Sequence, residues 1–192
     1  MRGPEIGPRV VTVTGFDVIY ADPPWAYRNP KTGGSHRSGA MQKYPVLTPA
    51  AVAAIPVAQY AARNATLWLW ATVPLLPDIL PIVAAWGFTY KTAIVWKKTG
   101  RKGIGYWFRG EAELLLFGIR GHVRAFRSPH ANVIAAPVER HSTKPAIFRS
   151  LIEASTPDQR RIELFARDRD VPGWTVTGID VDGRDLRTGI AL

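Results

Sequence analysis

Within a chain of 192 residues, Asp22-Pro23-Pro24-Trp25 is the stretch whose residue types and spacing best suit chemistry. Neither proline has a backbone N–H and each fixes its own φ, so the Pro23 carbonyl can stand as a rigid acceptor beside the Asp22 carboxylate. Two adjacent acceptors suit an amino group, and Trp25 offers a flat face on which a base can stack. Together they describe a pocket for an exocyclic amine such as adenine N6. The lone pair of that amine is delocalised into its ring. Hydrogen bonds that draw the nitrogen toward tetrahedral geometry therefore favour the transition state over the ground state, as in-line attack on a sulfonium methyl requires. The same four residues also read as a strand that ends in a proline-rich turn with a surface tryptophan.

A motif of this kind needs elements to hold it. Phe16–Ala21 is an apolar, β-branched run that reads as a buried strand, stopped where Pro23-Pro24 forbids further ladder bonds. Residues 26–47 contain Gly33-Gly34 and several cations without a clear period, which reads as a functional loop. Thr48-Pro49 is a cap and first turn for an Ala-rich helix broken at Pro56. Further strands are expected at 65–71, 88–96, 112–119 and 161–166, with a short apolar run at 132–135 and helices at 75–86, ended by Gly87, and at 145–154. This alternation predicts one α/β domain over 1–192 with a mostly parallel sheet flanked by helices. In such sheets the ligand crevice lies beyond the carboxyl ends of the strands, here after Ala21 and after Ala166.

Composition narrows the partners. Twenty-five Lys and Arg against 15 Asp and Glu give a net charge of +10, a balance that favours a polyanion, nucleic acid first. Arg28, Lys31, His36, Arg37 and Lys43 form one basic loop; Lys97, Lys98, Arg101, Lys102 and Arg109 form a second, interleaved with Tyr106, Trp107 and Phe108. From these, Arg28, Lys31, Arg37, Lys43, Lys98, Arg101, Lys102, Trp107 and Arg109 are the candidate nucleic-acid contacts; for the aromatics, hydrophobic packing is the competing reading. With no cysteine the chain has no disulfide or thiolate metal site. His36, His122, His130 and His141 are dispersed without metal-ligand spacing, so no metal is expected. No signal-like or membrane-spanning run is visible, and a cytoplasmic protein is expected.

The chain resembles the MT-A70-like family of S-adenosylmethionine-dependent adenine N6-methyltransferases. The likeness runs from Asp17 to about Asp182. Besides Asp22-Pro-Pro-Trp25 it is carried by Leu67-Trp-Leu-Trp70, Ala85-Trp-Gly-Phe88, Ile94-Val-Trp-Lys97, Gly105-Tyr-Trp-Phe-Arg-Gly-Glu111, Arg140-His-Ser-Thr-Lys-Pro145 and Glu163-Leu-Phe-Ala-Arg167. The resemblance implies a Rossmann-like methyltransferase fold in permuted order, with the catalytic motif before the cofactor-binding strand. Its implied catalytic residues are Asp22, Pro23, Pro24 and Trp25, and its cofactor is S-adenosylmethionine, which Asp22 is also expected to contact.

Lys144, at the start of a helix, opposes the helix dipole unless an anion joins it, and the cofactor carboxylate is such an anion. The resemblance places the cofactor's ribose and adenine near Glu163, Phe165, Arg167 and the residues that follow. Asp170 suits the ribose hydroxyls, while Glu163 is alternatively a brace for Arg167 or a neighbouring loop. Where the family has Gly-Asn, this chain reads Gly178-Ile179-Asp180, so Asp180 is at most a partial replacement. The third glycine of a dinucleotide fingerprint is missing at Phe108, which argues against a nicotinamide cofactor. Small size favours DNA as the polymer, with RNA and a noncatalytic binding partner as alternatives; assembly into an oligomer of like or unlike chains is left open.

Overall fold

Strand β1 (Phe16–Ala21) lies inside the sheet between two parallel neighbours, β2 (Ala61–Thr72) and β6 (Arg161–Leu164). A computed structural model describes residues 15–26, 46–100, 107–126, 130–138, 143–183 and 186. Its sheet has seven strands in the order β5-β3-β4-β2-β1-β6-β7, completed by β3 (Thr89–Thr99), β4 (Ala112–Arg120), β5 (Val133–Pro137) and β7 (Trp174–Thr177). Only β4 runs against its neighbours; the other pairings are parallel. The result is a mixed, mostly parallel, Rossmann-like α/β sheet in which the motif strand precedes β6 in sequence and lies beside it.

The central strands are apolar on both sides because helices cover both faces. Leu67, Leu69 and Ala71 of β2 pack toward Val52 of α1 (Pro49–Ala53) and toward Ile79, Ile82, Val83 and Trp86 in and after α2 (Leu76–Ala85). Trp68 and Trp70, on the alternate positions, pack with Tyr20, Trp96 and the Phe148, Leu151 and Ile152 stripe of α3 (Ala146–Ser155). Burying each such side chain contributes about 1.5–3 kcal/mol. Polar ends are matched as well: the indole N–H of Trp70 donates to the Tyr20 hydroxyl at 2.8 Å, and that of Trp96 donates to the Ala136 carbonyl at 3.0 Å.

The expected helix signals act as read. Thr48 Oγ1 accepts from Ala51 N–H at 3.2 Å, and Pro49 fills the first turn. After α2, Gly87 takes φ +82°, Gly87 N–H donates to Ala84 and Phe88 N–H donates to Val83, the paired bonds of a Schellman ending.

Some boundaries and elements differ from expectation. β3 continues through Lys97 and Lys98 to Thr99, so those lysines belong to a strand and not to a loop. β6 stops at Leu164 because Phe165 adopts φ +62°, which no ladder accommodates. Beyond it, β7 and the short α4 (Ile179–Asp182) were not foreseen; a four-residue Trp-Thr-Val-Thr strand gives too few alternations to register as a period.

Candidate active site

Where β1 ends, the motif is clamped from its far side. Ala26 N–H donates to the Leu47 carbonyl at 2.9 Å, and Leu47 N–H donates to the Pro24 carbonyl at 2.8 Å. Among the described residues the Pro23 carbonyl receives no hydrogen bond, so of the two proline acceptors it is the one left over. Trp25 is 7% exposed, packs in the core beneath α1 and α2, and donates its indole N–H to the Trp70 carbonyl at 3.1 Å. This corrects the reading of Trp25 as a stacking face: the indole is consumed in fastening the Asp22 turn to β2, because a large apolar ring next to a sheet gains more from burial than from exposure.

Asp22 sits at the carboxyl end of β1 and meets Lys144, whose Nζ donates to both carboxylate oxygens at 2.8 Å. Glu113 of β4 approaches the same ammonium at 3.3 Å and binds Lys98 at 2.5 Å. The chain of charges therefore runs Asp22, Lys144, Glu113, Lys98, two anions and two cations in alternation. Beneath it lie aromatic faces, with Lys144 Nζ 5.2 Å from the Trp70 ring centre and Lys98 Nζ 5.1 Å from that of Trp96.

Pairing decides the protonation states here. Burial pushes the Lys144 ammonium down, but Asp22 and Glu113 overcome it and hold the group above its ordinary value. Burial likewise pushes Glu113 up, and Lys144 and Lys98 more than reverse it, so its carboxyl titrates below the usual range.

Two expectations change as a result. Lys144 does not lie in the first turn of α3, since Pro145 is the N-cap, and the anions it meets are Asp22 and Glu113. Lys98 is not a free phosphate contact but is engaged by Glu113, because β3 carries it onto the α3 face of the sheet beside β4. Glu113 itself escaped the sequence reading. Its signal was a single charge at the head of an otherwise apolar strand, which needs a buried partner.

Along the other flank, Glu163 lies opposite Tyr20 in the β1–β6 register. It is bound by Arg149 of α3 at 2.8 Å, a partner that the sequence reading did not name. Burial raises Glu163, and Arg149 offsets this only in part. Burial also keeps the Tyr20 phenol far above its usual range, so it stays a neutral hydroxyl. Arg149 was not foreseen because it interrupts the apolar stripe of α3 and reads as a solvated tip.

Beyond Glu163, Phe165 holds its left-handed backbone and Arg167 is half-buried, while Asp168, Arg169 and Asp170 are exposed. Ala166 N–H donates to the Thr177 carbonyl at 3.1 Å, and a Cβ on Gly178 would stand 3.0 Å from the Ala166 backbone, so only glycine lets the ends of β6 and β7 approach this closely.

Of the expected nucleic-acid contacts, Trp107 is 92% exposed, and Arg109 is exposed next to Phe108, itself 90% exposed. Arg28, Lys31, Arg37, Lys43, Arg101 and Lys102 lie outside the described residues, as do His36, Tyr106 and His141 and the side chain of Asp180. Among the described residues there is no cluster of three or more His, Asp or Glu able to hold a metal, and no helix is long and apolar enough to cross a membrane.

These features define a Rossmann-like α/β protein with a proline-flanked aspartate and a shared lysine at the carboxyl ends of its parallel strands. The chain belongs to the MT-A70 family, whose model matches residues 16–180. It is 31% identical over 186 residues to the N(6)-adenosine-methyltransferase catalytic subunit METTL3 of Homo sapiens, a match that covers 92% of this chain and 30% of that protein. It is 30% identical over 183 residues to the type II methyltransferase M.MunI of Mycoplasma sp, covering 86% of this chain and 78% of that one. The N(6)-adenosine-methyltransferase MT-A70-like of Arabidopsis thaliana is 28% identical over 176 residues, with 88% and 24% covered. The chain thus spans less than a third of the METTL3 protein but most of M.MunI.

Proposed function

We propose that the protein transfers a methyl group from S-adenosylmethionine to N6 of adenine in DNA. The observation that carries this reading is the position of Asp22, at the end of the motif strand with the Pro23 carbonyl unengaged beside it, in a chain of the MT-A70 family. Asp22 and the Pro23 carbonyl accept the two amine protons and draw the nitrogen lone pair out of the ring. Lys144 fixes the carboxylate in one orientation, and Glu113 holds Lys144.

The residues of the crevice suit the cofactor. Lys144 offers a cation for its carboxylate, Glu163 and Asp170 offer acceptors for ribose hydroxyls, and Gly178 lets the backbone after β7 approach that of Phe165 and Ala166 closely. When bound, S-adenosylmethionine supplies the electrophilic methyl. An adenine in a duplex must be extruded, or offered in a single strand, before it reaches such a crevice. The exposed Trp107 and Phe108 beside Arg109 form a platform for the unstacked strand.

DNA is preferred because a relative matched over 78% of its own length is a type II methyltransferase, M.MunI. RNA is the second reading, favoured by the adenosine in the METTL3 names. The test incubates the protein with labelled S-adenosylmethionine and matched DNA and RNA oligonucleotides, then digests each to nucleosides. Label in N6-methyl deoxyadenosine supports the proposal; label confined to RNA moves the activity to the second reading, and label at any other atom rejects both.

A further inference from the structure

At the opposite end of the sheet, below the amino ends of β1 and β2, lies a second cavity of about 1020 Å³ on the α3 side. Its walls combine the turn after β4, which carries His122, Arg124 and Phe126, with Ser155 and Gln159 at and after the end of α3. The floor is fixed. Asn64 Oδ1 accepts from His122 N–H at 2.8 Å, and Gly121 is pressed so closely on Arg63 and Asn64 that any Cβ there would collide. Phe126 stacks on Trp68, with ring centres 5.9 Å apart and planes inclined by 18°.

The polar groups of this cavity divide into those already satisfied and those that are not. Asp17, the one carboxylate among the described residues of its wall, is paired with Arg160. The carbonyls of Glu153 and Thr156 at the end of α3 accept from the Arg161 guanidinium, which covers the negative end of that helix dipole. By contrast, the exposed side chains of His122 and Arg124 have no anionic partner among the described residues, and the half-buried Gln159 amide has no hydrogen bond among them. A guanidinium and an imidazole beside an aromatic ring, with an amide that can both donate and accept, match the phosphate, face and edge of one nucleotide.

We propose that this cavity is a second binding site that takes a nucleotide unit, phosphate on Arg124 and His122 and base against Phe126. The inference rests on the nucleic-acid reading of the catalytic crevice and extends it. From Thr66 at this cavity to Thr72 beside Glu113 the strand rises about 20 Å, which about six stacked nucleotides span, so one strand can occupy both sites. A free mononucleotide presents the same chemistry.

Fluorescence anisotropy with single-stranded oligonucleotides of about 20 and about four nucleotides separates these cases. Arg124→Glu is expected to weaken the long probe about tenfold and to flatten its salt slope by about one, leaving the short probe and its methylation unchanged. Phe126→Ala should act in the same direction, and Lys91→Glu, the same charge change at an exposed position on β3, should cost no more than about twofold. Calorimetry with adenosine monophosphate identifies the source: heat abolished by Arg124→Glu assigns a free nucleotide, and its absence alongside the long-probe effect assigns a strand. The inference is overturned if Arg124→Glu and Phe126→Ala leave both ligands at wild-type affinity, or lose no more than Lys91→Glu. If methylation persists in that event, only the second site is rejected; if the wild-type protein neither binds nor methylates any oligonucleotide, the proposed function falls with it.

Discussion

Lys144 and Asp22, 122 residues apart in sequence, are joined through both carboxylate oxygens at 2.8 Å, and Glu113 of β4 reaches the same ammonium. The ion pair turns a flexible aspartate into an oriented one, at the cost of making its orientation depend on a distant lysine.

Lys144→Met is the most direct probe of that dependence. It leaves Asp22 and Glu113 facing each other without the intervening cation, and is expected to cost about 3 kcal/mol in stability, read by denaturant unfolding. Calorimetry should find S-adenosylmethionine binding weakened more than oligonucleotide binding. An equal loss of both affinities would contradict a role for Lys144 toward the cofactor.

The same cluster sets a pH dependence. Glu113 titrates below its ordinary 4.5, so its stabilisation is present above that value and is lost as pH falls through the lowered one. Lys144 titrates above its ordinary 10.5, so its stabilisation is present below that value and is lost as pH rises through the raised one. In melting curves against pH, Glu113→Gln should flatten the acid limb; an unchanged acid limb would remove Glu113 from the network.

How much of this was legible beforehand depended on distance along the chain. The end of β1 could be read because two consecutive prolines stop a ladder locally, and α1 and α2 because Thr48-Pro49 and Gly87 act within one turn. Partners from remote strands could not. Nothing near Glu113 announces Lys144, and nothing near Arg149 announces Glu163, since each pairing exists only once β4, β6 and α3 are stacked. Trp25 was misread for a related reason: a tryptophan after two prolines has the same local signature whether its ring faces solvent or Trp70.

The two tryptophans at issue should separate cleanly by experiment. Trp25→Phe keeps most of the packing and loses the bond to the Trp70 carbonyl, so stability should fall by about 1 kcal/mol with oligonucleotide affinity unchanged. Trp107→Ala should do the reverse, weakening oligonucleotide binding by about 1–3 kcal/mol with no change in melting temperature. Weakened binding in Trp25→Phe would restore that residue as a stacking face.

Arg149→Met strands Glu163 beside Tyr20 with its carboxylate unpaired. Glu163 is already raised above 4.5, so the folded state binds its proton more tightly than the unfolded one and stability declines as pH climbs through that interval. Removing Arg149 should enlarge the effect, costing about 1–3 kcal/mol at neutral pH and less in acid. Adding Glu163→Gln should recover much of the loss; a double variant no more stable than Arg149→Met would show that the pair is not what Arg149 supports.

The central claim is that the Asp22 carboxylate, held by Lys144, grips the amine that is methylated. Single-turnover transfer to an adenine-containing oligonucleotide, measured for the wild-type protein and for Asp22→Asn at saturating S-adenosylmethionine, tests it most directly. The account predicts a rate at least about 100-fold lower in the variant with oligonucleotide affinity nearly preserved. A variant that methylates adenine N6 at close to the wild-type rate would contradict it.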